Sequence, residues 1–229
     1  MIRPAFPALI FDFDGTLIDS AGEIAQGLNA LLAESGRAQL SLERVRSFIG
    51  DGAAKLVERA FAATGGPAGD PPAMVSRYLE LYEAMAGAPD QLFPDVLATL
   101  QRLQGDGHRL GLCTNKPERA TRKLLGLLGM GGLFDSVVGG DTLPQRKPDP
   151  APVRHVLAAL GGGPGVMIGD NGNDVASGQG AGLPVIVLSY GYPRVPPHEL
   201  GADLVIDRFA ELPAALARLA GRTAAVAAL

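Results

Sequence analysis

Residues 8–16 read Ala8-Leu9-Ile10-Phe11-Asp12-Phe13-Asp14-Gly15-Thr16. The first four are a continuous apolar run; the next five bring two carboxylates and a glycine. A short unbroken apolar run suits a strand buried on both faces better than one side of an amphipathic helix. Strands of that kind belong to parallel sheets, and open parallel sheets bind ligands at the carboxyl ends of their strands. This stretch therefore predicts a buried strand with chemistry starting at Asp12, and with the rhythm of the later chain it makes the expected fold an α/β, Rossmann-like parallel-sheet core.

Two rhythms follow along the chain. From Asp19 to about Pro89 the pattern is helical: Ile24, Leu28, Leu31 and Leu32 share one face, as do Tyr78, Leu81, Tyr82 and Met85. Gly50-Asp51-Gly52 and the stretch from Gly65 to Pro72 break this block into helices. After Pro94 helices alternate with strands expected at Arg109–Cys113, Ser136–Gly139, Val166–Gly169 and Val185–Leu188, before a terminal helix. The strand before Asp12 has to join this later sheet, because its backbone groups have no other partners. The helical block is then an insertion, giving a core of residues 1–18 and 91–229 and a small α-helical cap of residues 19–90.

Composition narrows the function. The 229 residues are 47% hydrophobic and 19% charged, enough to build a buried core. The net charge is −4 and no segment concentrates Lys and Arg, which speaks against a nucleic-acid partner. No apolar run approaches the length of a membrane span, and the N-terminal one is cut by Asp12 and Asp14. The expectation is a soluble, cytoplasmic protein without a membrane partner, either a monomer or a homodimer. A lone cysteine, Cys113, forms no intrachain disulfide; it reads as a buried packing thiol, and His108 and His155 read as structural.

Four segments each follow an expected strand: Asp12-Phe13-Asp14-Gly15-Thr16, Thr114-Asn115-Lys116, Arg146-Lys147-Pro148-Asp149-Pro150 and Gly169-Asp170-Asn171-Gly172-Asn173-Asp174. Singly each has an ordinary explanation, such as a strand-end turn, a helix N-cap at Thr114 or a solvated Lys147. Together, in this order, they bring carboxylates, a hydroxyl and an ammonium to one edge of a sheet. The combination resembles the haloacid dehalogenase-like superfamily over nearly the whole chain. Phe11–Ser20, Thr114-Asn115-Lys116-Pro117, Gly139-Gly140-Asp141 and Lys147-Pro148-Asp149-Pro150 further resemble its phosphoglycolate phosphatase branch.

The resemblance implies a Mg²⁺-dependent phosphomonoester hydrolase that works on a small phosphorylated metabolite, 2-phosphoglycolate first among them, through an aspartyl-phosphate. Asp12 is then the nucleophile. Asp14, two residues on and back on the same side of an extended strand, is the acid and later the base. Asp12, the backbone carbonyl of Asp14 and Asp170 are the expected Mg²⁺ ligands, and Asp174 orients Lys147 or a water. Thr114 and Lys147 would hold the phosphoryl group, with backbone N–H groups around Gly15 and Asn115 completing the cradle. A substrate carboxylate calls for a cation on the cap; Lys55 is the first choice, with Arg59, Arg44 and Lys116 behind it. Phosphatases of pyrophosphate, sugar phosphates or nucleotides are the alternatives within the fold, and a non-catalytic binding domain is the alternative outside catalysis. A dehalogenase has no use for Asp14 and Asp170.

Overall fold

The computed structural model describes residues 4–66, 69–85 and 92–227. Strand β1 (Ala8–Phe11) is buried along its whole length. Its alternating side chains divide between two hydrophobic clusters, Leu9 and Phe11 in one and Ala8 and Ile10 in the other, as the period of two requires. The apolar run is continuous because both faces of this strand are covered.

Strands β2 (Arg109–Cys113), β3 (Ser136–Val138), β4 (Gly165–Gly169), β5 (Val185–Leu188) and β6 (Leu204–Ile206) join β1 in a parallel sheet of order β3-β2-β1-β4-β5-β6. The chain runs outward from β1 to β3, then crosses back to β4, so the direction of winding reverses between β1 and β4. A crevice opens outside the carboxyl ends of the strands at such a reversal. Phe11 lies opposite both Leu112 and Ile168, and that register delivers Asp12, Thr114 and Asp170 to neighbouring places on the crevice wall.

Helices cover both faces of the sheet. Leu100 and Leu103 of α5 (Val96–Gly105), Leu124 and Leu125 of α6 (Glu118–Leu127) and Leu212 and Leu216 of α9 (Leu212–Ala227) pack into the cluster of Leu9 and Phe11. Val153 and Val156 of α7 (Ala151–Ala159) and Val175 of α8 (Gly172–Gly180) pack with Ala8 and Ile10. The approach of α7 is close: a Cβ at Gly111 of β2 would lie 2.3 Å from Val156 Cγ1.

Between β1 and α5, helices α1 (Ala21–Glu34), α2 (Leu42–Arg46), α3 (Ala53–Ala63) and α4 (Pro71–Met85) build a hydrophobic cluster of their own. The expected faces are inside it, with Ile24, Leu28, Leu31, Leu32, Tyr78 and Tyr82 buried and Leu81 half-buried. The side chain of Met85 and the junction placed at 90/91 lie outside the described residues.

Strand β6 has no counterpart in the sequence reading. It has three residues, forms an edge of the sheet and leaves Val205 more than a third exposed, so its apolar signal is too short and too interrupted to register. Helix α8 begins at Gly172 because Asn171 caps it. Among the described residues no helix is long and apolar enough to cross a membrane.

Candidate active site

Asp12 continues the sheet ladder for one residue beyond β1, its N–H donating to the Ile168 carbonyl at 2.9 Å. The side chain is thereby pinned at the mouth of the crevice. Lys147 Nζ lies 2.9 Å from Asp12 Oδ1 and 2.6 Å from Asp174 Oδ1, and all three groups are buried. Asp174 owes its position to the start of α8. Its Oδ2 accepts the N–H groups of Asp170 (3.1 Å) and Asn171 (3.2 Å), while the Asn171 side chain returns a bond to the helix as a capping box. The helix cap thus fixes Asp174, which fixes Lys147 against Asp12.

Asp170 is gripped from the other side. Thr16 Oγ1 donates to its Oδ1 (3.1 Å) and the Tyr192 N–H to its Oδ2 (2.7 Å). Gly15 adopts φ 85°, and a Cβ there would lie 2.5 Å from Asp170 Oδ2; only glycine suits both the backbone and the approach. The Gly15 N–H donates to the Ile18 carbonyl (2.9 Å), so its contribution is this close passage.

One carboxylate oxygen from each of Asp12, Asp170 and Asp174 lies within 4.8 Å of the others, all three residues being buried. Burial, then repulsion from Asp174, pushes the Asp12 carboxyl up to about 7 despite Lys147. Burial and the same neighbours raise Asp170 well above the usual carboxylate range. Asp12 Oδ1, although ion-paired with Lys147, has no aligned hydrogen bond. An all-oxygen donor set with too much negative charge and an unsatisfied buried oxygen fits a hard divalent cation.

Asp14 meets a different set of partners. Ser20 Oγ donates to its Oδ1 (2.6 Å), and Lys116 Nζ reaches both its oxygens, at 2.9 and 3.2 Å. Lys116 is itself buried. Burial alone would lower its hold on a proton, but the Asp14 charge raises it further. The ammonium also lies 4.4 Å from the centre of the Tyr82 ring.

These groups border a cavity of about 570 Å³, mouth included, between the sheet edge and the inserted helices. Asp12, Asp14, Thr114, Asn115 and Lys116 line its floor, and Ile24, Ile49, Leu56, Leu79 and Tyr82 line its roof. Asn115 holds floor and roof together, its Nδ2 donating to the carbonyls of Lys147 (2.8 Å) and Gly50 (2.9 Å). A second tie centres on Asp51, where Asn173 Nδ2 (2.6 Å), Arg194 Nη2 (2.5 Å) and Arg59 converge.

Asp12, Asp14, Thr114, Asn115, Lys147, Asp170 and Asp174 thus come together at one sheet edge. Lys55 does not join them: it is half exposed, pairs with Glu58 at 2.7 Å and is absent from the cavity lining. Position explains this, since Lys55 and Glu58 share a solvent-facing stripe of α3 while Leu56, Val57 and Ala60 turn inward. Arg44, over the Phe48 ring, and Arg59, held by Asp51 and the Phe48 carbonyl, are also committed elsewhere, whereas Lys116 lines the cavity. Ser20, Tyr82, Arg194 and Tyr192 have no counterpart as site residues in the sequence reading, because none follows a strand or belongs to a motif read for its chemistry. Cys113 is buried with its thiol pushed up to about 12 by burial, and His108 Nδ1 meets the Phe6 carbonyl at 2.8 Å; both are structural.

The Gly139-Gly140-Asp141 segment has a physical purpose. A Cβ at Gly140 would fall 2.3 Å from the Asn115 carbonyl oxygen, and one at Gly139 2.4 Å from the Glu118 nitrogen. Asp141 accepts the Glu118 N–H at 2.7 Å, which caps α6. The segment is a mould for the loop that carries Thr114, Asn115 and Lys116.

Residues 6–182 match the family described as haloacid dehalogenase-like hydrolases. The chain belongs to that family. A phosphoglycolate phosphatase of Rhodospirillum rubrum is 47% identical over 215 residues, 90% of this chain and 88% of its own length. A crystal structure from Haemophilus somnus, of a predicted phosphoglycolate phosphatase, superposes with a TM-score of 0.86 at 30% identity, covering 92% of this chain and 98% of that one. CbbY from Rhodobacter sphaeroides, solved in complex with phosphate, superposes with a TM-score of 0.78 at 25% identity over 90% and 96% of the two chains.

Proposed function

We propose that this hydrolase is a Mg²⁺-dependent phosphatase of 2-phosphoglycolate, with residues 19–90 acting as a cap over a core of residues 1–18 and 91–229. The observation that carries the reading is the bridging of Asp12 and Asp174 by Lys147 beside Asp170, two residues from an Asp14 that faces a largely apolar cavity. The name borne by the R. rubrum relative supports the substrate.

Asp12, Asp170 and the Asp14 backbone carbonyl would hold the cation, which supplies positive charge to the phosphoryl oxygens when bound. Lys147 and Thr114 set the phosphoryl group in line with Asp12. In the first step a bond forms between Asp12 and phosphorus, the bond to the glycolate oxygen breaks, and Asp14 delivers its proton to that oxygen. In the second, water attacks the phosphorus, Asp14 takes up a water proton, and the bond to Asp12 breaks, releasing phosphate. The apolar roof keeps bulk water from the first step.

The test is a comparison of initial rates in Mg²⁺ on phosphoglycolate, a sugar phosphate, pyrophosphate and a nucleoside monophosphate, repeated in excess chelator. Phosphoglycolate should give the highest kcat/KM and the chelator should remove activity. A higher kcat/KM on any of the others reverses the substrate reading, and full activity in chelator removes the cation.

A further inference from the structure

We infer that Lys116 and Tyr82 form the subsite that binds the carboxylate of the substrate, so that the cation reading the leaving group comes from the core loop and not from the cap. The inference rests on the phosphatase reading above and assigns its specificity to two residues.

Among the described residues that line the cavity, Lys116 carries the only positive charge. Its ammonium has three N–H donors; Asp14 draws on them with both its oxygens, and the remaining side of the ammonium faces Tyr82, so a ligand oxygen would be held between the two side chains. Tyr82, 2% exposed, lines the same cavity, and among the described residues its hydroxyl makes no aligned hydrogen bond, its neighbour being the Lys116 ammonium. A buried hydroxyl without a partner costs free energy, and a ligand oxygen relieves it.

Bond connectivity selects the ligand. A general acid has to lie within hydrogen-bond reach of the oxygen it protonates, so the leaving oxygen belongs beside Asp14. Lys116 Nζ is already 2.9 Å from Asp14 Oδ1. A carboxylate on the very carbon that bears the leaving oxygen presents its oxygens next to that oxygen, where Lys116 can donate to acid and substrate together. With a longer acid the charge would move on to the apolar roof of Ile24, Leu56 and Leu79, where nothing offsets its desolvation. The ligand class is a short phosphooxy acid with phosphate and carboxylate on one carbon.

The experiment compares phosphoglycolate with ethyl phosphate, which lacks the carboxylate but keeps the two-carbon chain, in wild type, Lys116→Met and Tyr82→Phe. The readout is the ratio of kcat/KM for the two substrates. Lys116→Met should lower that ratio about 10- to 200-fold, the loss expected for one charged hydrogen bond, mainly through KM for phosphoglycolate. Tyr82→Phe, which keeps the ring and its packing, should lower it about 3- to 10-fold, the size of one neutral hydrogen bond. Ratios unchanged in both variants overturn the subsite, because equal losses on both substrates mean that Lys116 acts on Asp14 alone. A wild type without preference for phosphoglycolate overturns the substrate reading itself, a result distinct from the preceding one. If Lys116→Met fails to fold, the Tyr82→Phe ratio decides.

Discussion

Replacing Lys147 with methionine keeps an unbranched side chain one atom shorter and deletes a charge on a residue that is 3% exposed. Burial alone would lower the hold of this ammonium on its proton, but Asp12 at 2.9 Å and Asp174 at 2.6 Å raise it further, so it stays charged. Removing one member of a buried ionic group costs about 3–5 kcal/mol, because its partners are left buried and unpaired. In a chain of this length each kcal/mol moves Tm by about 2–4 °C, so metal-free Lys147→Met should melt about 6–20 °C below wild type. Mg²⁺ should raise the variant by more than it raises wild type, since a cation among the carboxylates replaces part of the lost charge. The pH dependence has a definite sign. The Asp12 carboxyl, pushed up to about 7 by burial and then by Asp174, holds a proton in the fold that the unfolded chain releases at an ordinary carboxylate value of about 3.9. Stability in chelator therefore falls as pH rises from about 4 to about 7, and the variant, without the opposing effect of Lys147, should fall further. Thermal melts between pH 5 and 8, with chelator or with Mg²⁺, measure all three effects. A variant as stable as wild type at pH 8 in chelator, or one that gains no more from Mg²⁺, refutes the reasoning.

Asp12→Asn should abolish turnover in a folded protein, because the amide keeps the shape but is a far poorer nucleophile; a variant keeping a tenth of the wild-type rate would exclude a covalent role. Asp51→Asn should loosen the tie between roof and floor. Burial would raise the Asp51 carboxyl, yet bonds from Asn173, Arg194 and Arg59 hold it down at about 2, so it is charged at neutral pH. Its two arginine pairs are partly exposed, and at about 0.2–1 kcal/mol each their loss should reduce kcat/KM by about 2- to 30-fold and lower Tm by about 1–8 °C. An unaltered kcat/KM would show that the tie does not govern closure. Gly140→Ala should displace the loop of Thr114 and Lys116, since the new Cβ meets the Asn115 carbonyl, and cut activity at least about tenfold; wild-type kinetics would mean the loop yields at no cost.

The legible and the illegible parts of this molecule differ in kind. Asp12, Thr114 and Asp170 could be read from the chain because each follows a buried strand, and backbone register alone carries them to one place. Helix faces such as Ile24, Leu28, Leu31 and Leu32 were legible for the same reason, a local period that reports burial. The partners of the site obey no local period. Tyr192 reaches Asp170 across 22 residues, Arg194 reaches Asp51 across 143, and Lys116 reaches Asp14 across 102. Only the folded arrangement of α3 and α4 over β1 and β2 decides which cation faces inward. Lys55 was the natural choice along a helix read in isolation, three residues past Gly52, but the inward stripe of α3 is Leu56, Val57 and Ala60, and a charged neighbour of that stripe is turned toward water with Glu58. Lys116 is buried because the mould formed by Gly139 and Gly140 leaves its loop no room to move outward. If Lys116 and Tyr82 form the carboxylate subsite, packing around the core loop sets specificity, and changes at Gly140 or Tyr82 should alter substrate choice more than changes on the exposed face of α3.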